Sequence, residues 1–262
     1  MKNYNYTDVK QKTIVPILPW GSHEPHGEHL PYATDSILAE AVANSVSDKA
    51  NEKYALSKRI ANTEFCLLPT MSLGSQNISQ VENYELCIHF NTETQKHVLE
   101  DIVASLTRQG IETMFIINGH NGNALKGIIR DITVKYPFFR LYLCNYLDVI
   151  DKYRDELKHE GVVKYDLDEH AGYTETSLML YVNPDLVWFR NLLSDYPGLP
   201  KQDGEFWAPS EWKLRSIHTR IGTVGSASEN AGEKMFELVT DKLSDEIVNI
   251  VSKSNCEEWL RN

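Results

Sequence analysis

Short apolar runs alternate along this chain with longer segments in which apolar residues recur every three or four positions. The apolar runs predict buried strands at 13–18, 65–68, 113–117 and 139–146. The segments with helical spacing predict helices at about 35–48, 94–109, 125–132 and from 231 onward. Strands that alternate with helices in this way are typical of a mostly parallel sheet covered by helices on both faces. We therefore expect a protein of the α/β class.

Certain residues set the expected limits of these elements. Thr34 or Asp35 is expected to cap the first helix, and Gly110 to end the second. Pro16 has no backbone N–H, so it indicates an edge position or a local irregularity in the first strand.

One long segment departs from the regular pattern. Residues 188–220 carry Trp188, Trp207 and Trp212 but show no clean period, so we expect an irregular excursion. It would act as a lid over a site or as a subunit contact, although aromatic residues of this kind more often simply pack a long loop. With this excursion included, we interpret residues 1–262 as a single domain, because the length suits one large α/β core.

Histidines and carboxylates are concentrated directly after the first predicted strand, where residues 21–35 are GSHEPHGEHLPYATD. Burying so many titratable groups unpaired would cost roughly several kcal/mol each, and a bound divalent cation would remove that cost. The turn NGHNGN at 118–123 follows the third strand. Ligands of open parallel sheets bind beyond the carboxyl ends of the strands, so we expect these two segments to meet at a metal site.

The candidate ligands follow from the geometry of these segments. Glu24 and His26 are two residues apart, so in an extended segment both side chains leave the same face and each can hold a different metal. Asp35 is the candidate bridge between two metals, although, taken alone, an aspartate at this position could equally be a helix cap. His120 lies in a turn whose glycines can aim its imidazole at the same point, although a lone histidine there is more often a hydrogen-bonded loop residue.

Further along the chain, HAGYTET at 170–176 adds His170 and Glu175 ahead of apolar residues that predict a buried helix. A glutamate on a buried helix is expected to have a positively charged partner. His29 is expected either to orient a ligand or to be a buried, hydrogen-bonded histidine. The loop at 222–228 has backbone amides that suit an anionic group, or it forms a turn and a helix cap.

Composition argues against several classes of partner. A formal charge of −11 and a pI of about 5.3, without clustered Lys and Arg, disfavour nucleic-acid binding. No apolar stretch approaches the roughly twenty residues that span a bilayer, and the N-terminus lacks the apolar core of a secretory signal. We therefore expect a cytoplasmic protein with no membrane partner. The four cysteines form no C-x-x-C pair and are expected to be reduced thiols. A small-molecule substrate is the expected partner.

Taken together, these motifs resemble the creatininase (creatinine amidohydrolase) family. The matching segments, in order, are EPHGEHLP at 24–31, TD at 34–35, NGHNGN at 118–123, HAGYTETS at 170–177 and GTVG at 222–225. The resemblance extends over about residues 13–240. It implies a three-layer α/β/α sandwich with a central, mostly parallel sheet, frequently assembled as a homohexamer.

The resemblance also implies an amidohydrolase in which two divalent metal ions, zinc, manganese or iron, activate water to cleave an amide-type C–N bond. The residues that match the family's metal ligands are Glu24, His26, Asp35 and His120. Asp35 matches the bridging ligand. His170 matches the family's catalytic histidine, which would pass a proton to the departing nitrogen. Glu175 matches a nearby carboxylate that is expected to complete the coordination of the second metal.

Departures from the family pattern bear on the substrate. The creatinine-hydrolysing enzyme has a metal-binding carboxylate where this chain has Gly122 and a substrate-covering tryptophan where it has Asp166, so creatinine is not expected to be the substrate. Pro25 replaces the more usual glutamine. Relatives with the glycine-type turn include a deformylase of pyrimidine nucleotides and a peptidase that trims a peptide-derived redox cofactor. The alternative is a metal-binding member without turnover, but oxygen and imidazole ligands with room for water favour catalysis over a closed structural site.

Overall fold

A four-stranded parallel sheet forms the centre of the fold. The computed structural model of the protein describes residues 4–56, 62–191, 197–199, 208 and 211–259. The strands, in chain order, are β1 (Thr13–Trp20), β2 (Thr63–Leu67), β3 (Thr113–Asn118), β4 (Arg140–Asn145), β5 (Asp168–His170) and β6 (Ile221–Gly222). The first four pair in the order β2-β1-β3-β4, and all three pairings are parallel. The short strands β5 and β6 pair with each other in antiparallel orientation.

Helices cover both faces of this sheet. In chain order the α-helices are α1 (Tyr6–Val9), α2 (Thr34–Leu56), α3 (Ile78–Asn83), α4 (Thr92–Arg108), α5 (Leu125–Lys135), α6 (Tyr146–Lys152), α7 (Arg154–His159), α8 (Tyr173–Val182), α9 (Glu211–Arg215) and α10 (Glu229–Trp259). One hydrophobic core joins the sheet to α2, α8 and α10, and a second joins it to α4 and α5. Neighbouring residues of β1 serve different cores, since Ile17 packs into the first and Leu18 into the second. The expected three-layer α/β/α arrangement is confirmed.

The four predicted strands and most of the predicted helices are present, with ends that differ by a few residues. The main error concerns α2, which was expected to end near Asp48 and continues to Leu56. Its buried stripe extends through Ala50 and Tyr54, and Tyr54 packs edge-on against Phe65 at 5.7 Å between ring centroids. An alanine and a tyrosine are weak signals in a hydrophobic pattern, so the helix predicted from that pattern ends too early.

The expectation of an edge position at Pro16 is wrong, because β1 is an interior strand. Its pairing with β2 runs from Thr13 to Ile17, whereas its pairing with β3 begins only at Ile17. Pro16 therefore lies in the part of β1 that is paired on one side only. A missing backbone N–H is tolerated there without the loss of a ladder hydrogen bond.

The irregular excursion at 188–220 is described only in part, and Trp207 lies outside the described residues. Within the described parts, Phe189–Asn191 and Ile217–Thr219 are single 3-10 turns and Glu211–Arg215 forms α9. The cysteines Cys66, Cys87 and Cys144 are free thiols. None of the described helices combines the length and the apolar character that crossing a membrane requires.

Candidate active site

Two loops and a helix start meet beyond the carboxyl ends of β1 and β3. Trp20 and Asn118, the last residues of these strands, are register partners. The next residue after Asn118 is Gly119, and a Cβ placed on it would lie 2.7 Å from the carbonyl oxygen of Asp35. Only glycine allows this close approach of the His120 turn to the first turn of α2. The expected meeting of the two segments is therefore confirmed.

Asp35 lies at the centre of the side chains gathered at this edge, and its side chain is 2% exposed. It accepts a hydrogen bond from Ser22 Oγ at 2.7 Å, and its two oxygens lie 2.9 Å from His26 Nε2 and 3.1 Å from His120 Nδ1. Asp35 is within α2, and among the described residues no helix amide donates to its carboxylate. A simple helix-cap role does not account for these contacts.

Backbone carbonyl oxygens fix the orientation of three histidines at this site. The bonds are His26 Nδ1 to Glu24 O (3.0 Å), His120 Nε2 to Ser75 O (2.6 Å) and His170 Nε2 to Pro25 O (3.0 Å). A carbonyl oxygen can only accept, so each of these ring nitrogens carries the hydrogen. In the neutral imidazole the opposite nitrogen then has a free lone pair.

The opposite nitrogens of His26 and His120 face carboxylate oxygens. His120 Nδ1 is 2.8 Å from Glu24 Oε1, and His26 Nε2 is 4.0 Å from Glu175 Oε2 in addition to its approach to Asp35. A lone pair and a carboxylate oxygen at such distances require either a proton or a cation between them. Imidazole nitrogen and carboxylate oxygen are also the donors that zinc and related transition metals bind in hydrolytic sites. The donor set therefore fits a divalent cation.

All six residues that the sequence singled out come together here. Three groups have donor atoms that lie within 4.8 Å of one another: Glu24 with Asp35 and His120, His26 with Asp35 and Glu175, and Glu24 with His26 and His170. Glu24, His26 and Asp35 each belong to two of them. Glu24, His26, Asp35, His120 and Glu175 are all buried, whereas His170 is partly exposed to a cavity.

The buried histidines have strongly raised pKa values. Burial, the largest influence on His26, lowers its pKa, but the negative charges of Asp35, Glu175 and Glu24 outweigh it and raise the pKa to about 10. Burial likewise lowers the pKa of His120, and Glu24 and Asp35 together bring it well above its usual value. Without a cation, protons on these two rings neutralise the carboxylates.

The pKa values of Asp35, Glu175 and His170 are shifted as well. Burial raises the pKa of Asp35, but His26 and His120 overcome it and hold the pKa well below the usual range. Burial is the main cause that raises the pKa of Glu175 to about 7. The pKa of His170 is lowered, first by burial and then by the neighbouring His26. His170 is therefore a neutral imidazole near pH 7, able to accept a proton.

Sequence reasoning missed several residues that support this site. Gln80, on the short helix α3, donates a hydrogen bond to Glu24 Oε2, and Ser22 donates to Asp35. The backbone N–H of Ala171 donates to Glu175 Oε2 at 2.5 Å, and Ala171 is held in the left-handed region at φ 48°. Ser22 lies within the dense polar segment and could have been noticed. Gln80 gave no signal, because α3 is a single short helix far from the motifs.

Two asparagine side chains hold the turn after β3. Asn118 donates to the carbonyl oxygen of His120 at 2.7 Å, and Asn123 donates to the carbonyl oxygen of Gly21 at 3.2 Å. Gly122 packs directly against His120: a Cβ there would overlap His120 Nε2 and lie 2.5 Å from the carbonyl oxygen of Ser75. A side chain at position 122 therefore fits only if the hydrogen bond between His120 and Ser75 is displaced.

A cavity of about 770 Å³ opens onto these side chains. Its lining includes Glu24, Asp35, His120, His170 and Glu175 together with Trp212, Arg215, Arg154 and Asp151. The ring of Trp212 meets that of His170 edge-on, at 5.5 Å between centroids and 74° between planes. Trp212 lies in the irregular excursion, so part of that segment covers the cavity within the same chain. Asp166 also lines the cavity, where it is exposed and forms an ion pair with Lys158.

For His29 and the 222–228 loop, the sequence left two interpretations open, and their contacts favour the structural one. His29 is fully buried and its Nε2 lies 2.8 Å from Thr176 Oγ1, the contact of a buried, hydrogen-bonded histidine. It belongs to none of the three donor groups. Ser228, just before α10, accepts a hydrogen bond from the Ala231 N–H at 3.3 Å, which supports a helix cap at the end of the 222–228 loop.

Comparison with known proteins is consistent with this geometry. A creatinine amidohydrolase from Pseudomonas putida is 24% identical over 243 residues, 88% of this chain and 87% of that protein. A mycofactocin precursor peptide peptidase from Mycolicibacterium smegmatis is 25% identical over 252 residues, 92% of this chain and 88% of that protein.

Solved structures share the fold. A proposed creatinine amidohydrolase from Bacteroides fragilis is 30% identical, with a TM-score of 0.79 over 92% of this chain and 90% of that one. Creatininases solved in a Zn–Zn form and in a Mn form have TM-scores of 0.71 and 0.69 at 23% and 22% identity. The family model described as creatininase, creatinine amidohydrolase, matches residues 1–247. The chain therefore belongs to the creatininase family of hydrolases.

Proposed function

We propose that the protein is a dinuclear metal-dependent amidohydrolase, which cleaves the C–N bond of an amide, cyclic amide or formamide in a small molecule. The observation that carries this proposal is the position of Asp35, whose two oxygens face different histidines: Oδ1 lies 2.9 Å from His26 Nε2 and Oδ2 lies 3.1 Å from His120 Nδ1. A carboxylate whose oxygens face two different ligands is the arrangement that a bridged pair of cations requires. Glu24, Asp35 and His120 would hold one cation, and His26, Asp35 and Glu175 the other.

The residues of the chain supply orientation and proton transfer. Two divalent cations bound there would lower the pKa of a water molecule and polarise a substrate carbonyl. The hydrogen bonds from His26 and His120 to backbone carbonyls hold their other nitrogens toward the carboxylates. Such outer hydrogen bonds fix the tautomer of a metal-binding histidine.

His170 is proposed to move the proton. Its Nε2–H is held by the carbonyl oxygen of Pro25, so Nδ1 is the nitrogen that is free to accept a proton. Its lowered pKa keeps this nitrogen unprotonated near neutral pH. His170 would take a proton from water and deliver it to the departing nitrogen, a role that contributes typically 10²–10⁴-fold in rate.

The site favours a substrate other than creatinine. A cavity of about 770 Å³ falls within the size range of pockets for drug-sized ligands, so it admits a substrate larger than a small ring. Gly122 leaves no room for an added carboxylate beside His120. The similarity to a mycofactocin precursor peptide peptidase supports a second candidate, an amide bond at the end of a short peptide. We also propose that the protein is a single domain, assembles as a homohexamer and acts in the cytoplasm. Size-exclusion chromatography with light scattering would check the assembly.

Metal analysis combined with a hydrolysis screen tests the proposal. Protein loaded with zinc or manganese should contain two ions per chain and hydrolyse at least one compound among cyclic amides, formamides and short peptides. The Glu40→Gln variant is a suitable control, because Glu40 lies on α2 outside the site and contacts Thr70 Oγ1 at 2.8 Å. Two bound ions with no turnover of any compound would support the alternative of a metal-binding protein.

A further inference from the structure

Tyr146 carries a buried hydroxyl group that no part of the proposed mechanism uses. It is the first residue of α6, directly after the carboxyl end of β4, and its side chain is fully buried. Among the described residues, no group forms a hydrogen bond with its hydroxyl. A buried hydroxyl without a partner is costly, and where one persists it points to a partner that binds there.

The hydroxyl end of Tyr146 points toward the site. Its Cε1 atom, next to the carbon that bears the hydroxyl, lies 3.2 Å from the position a Cβ of Gly119 would occupy. That position is 2.7 Å from the carbonyl oxygen of Asp35, so the end of the ring lies where α2 and the His120 turn meet. Leu147 and Ile150, on the same helix, line the cavity. After burial, the charges of Glu175 and then Asp35 are what raise the pKa of Tyr146.

Among the described residues, the contacts of the Glu175 carboxylate involve only one of its two oxygens. Its Oε2 accepts from the Ala171 N–H at 2.5 Å and lies 4.0 Å from His26 Nε2. Within the part of the chain that the structure describes, its Oε1 has no hydrogen-bond donor. A carboxylate oxygen without a donor and a buried hydroxyl without an acceptor are therefore both present on this side of the site.

We propose that Tyr146 is a positioning residue for the cation site formed by His26, Asp35 and Glu175, and that its hydroxyl donates a hydrogen bond to the Glu175 carboxylate when a cation is bound. The inference rests on the proposed function. A neutral donor of this kind stabilises the ionised carboxylate and fixes its direction, as hydrogen bonds to metal-binding carboxylates generally do. Because Tyr146 is fully buried, it would act through Glu175 and not by contact with the substrate.

The variant Tyr146→Phe tests this inference, with Tyr173→Phe as the matched control. Tyr173 is also a buried tyrosine, but its hydroxyl donates to the carbonyl oxygen of Val162 at 2.5 Å. Zinc chloride would be titrated into each metal-free protein by calorimetry. We expect Tyr146→Phe to bind one ion as the wild type does and the other roughly 10- to 100-fold more weakly. Tyr173→Phe should bind both ions as the wild type does.

A double variant keeps the test sharp. Once Glu175→Gln has removed the carboxylate, adding Tyr146→Phe should cause no further loss of zinc affinity, because the bonded pair is already broken. Additive losses, or a Tyr146→Phe variant with both binding steps unchanged or equally weakened, would overturn the inference alone. A wild-type protein that binds fewer than two zinc ions would instead overturn the proposed function. Cobalt loading adds a spectroscopic check, since the visible absorption of one of the two equivalents should change in Tyr146→Phe and of neither in Tyr173→Phe.

Discussion

Replacement of Asp35 by asparagine is expected to weaken both cation sites at once. Asparagine has the same size and keeps an oxygen that can accept from Ser22, so the packing of α2 should survive. The change removes the negative charge that both His26 and His120 face, at 2.9 Å and 3.1 Å. Because Asp35 has one oxygen toward each of these histidines, the effect of the change is not confined to one ion.

The expected magnitude follows from the number of ligands. Structural zinc sites with four ligands bind with about 10–16 kcal/mol, which corresponds to about 2.5–4 kcal/mol for each ligand. At about 1.4 kcal/mol per factor of ten, Asp35→Asn should weaken each zinc ion by about two to three orders of magnitude.

Thermal unfolding in the presence of zinc provides the assay. At a zinc concentration about 100 times the dissociation constant, the wild type gains about 2.7 kcal/mol of stability for each bound ion. For a chain of this size each such gain raises the Tm by about 5–10 °C. With affinity about 100-fold weaker, Asp35→Asn would gain only about 0.4 kcal/mol for each ion at the same zinc concentration, or about 1 °C. Glu40→Gln, on the same helix, should keep the wild-type shift. An Asp35→Asn protein with a full zinc-dependent shift would refute the assignment of Asp35.

Three other changes test separate parts of the site. His170→Ala should lose about 10²–10⁴-fold in kcat and keep both metal ions by elemental analysis; loss of the ions would make His170 a ligand instead of a proton carrier. Gly122→Ala should lower the free energy of unfolding by about 1–3 kcal/mol in denaturant titrations and weaken zinc binding, because the added Cβ displaces His120; an unchanged zinc affinity would contradict this. Zinc affinity should fall as the pH falls, because the raised pKa values keep His26 and His120 protonated without metal and each ion must displace those protons. Calorimetry in buffers of different ionisation enthalpy would measure the released protons, and a pH-independent affinity would show that these histidines bind no metal.

The same raised pKa values affect the stability of the metal-free protein. A histidine with a folded-state pKa above its unfolded value of 6.5 stabilises the fold most below about pH 6.5. For His26 this contribution is lost as the pH rises toward about 10. Removal of metal should therefore be least damaging to the fold in mildly acidic solution.

The layers of the fold could be predicted because their signals are local. Apolar runs and helical spacing depend on neighbouring residues, so β1, β3 and α4 were recognised from the pattern alone. The strands β5 and β6 could not be, since they are three and two residues long and pair over a long separation in sequence. No hydrophobic period develops over so few residues.

The candidate site could be predicted because its donors lie in dense motifs at strand ends. The groups that hold those donors were harder to find, since each acts through a contact that is distant in sequence. Gln80 reaches Glu24 from 56 positions away, and Ser75 meets His120 through a backbone oxygen that any residue would provide. Trp212 was noticed as one of three tryptophans, but its place against His170 depends on how the excursion folds back.

Anchoring through main-chain oxygen makes part of the site independent of side-chain identity. Pro25 takes part only through its carbonyl, which accepts from His170, and proline retains that oxygen. The presence of proline in place of the more usual glutamine at position 25 therefore leaves this contact intact. The proline ring also restricts the backbone of the loop that carries this carbonyl. A change of side chain at position 25 therefore leaves the acceptor for His170 in place, and the buried position of that side chain, not the hydrogen bond, limits which residues fit there.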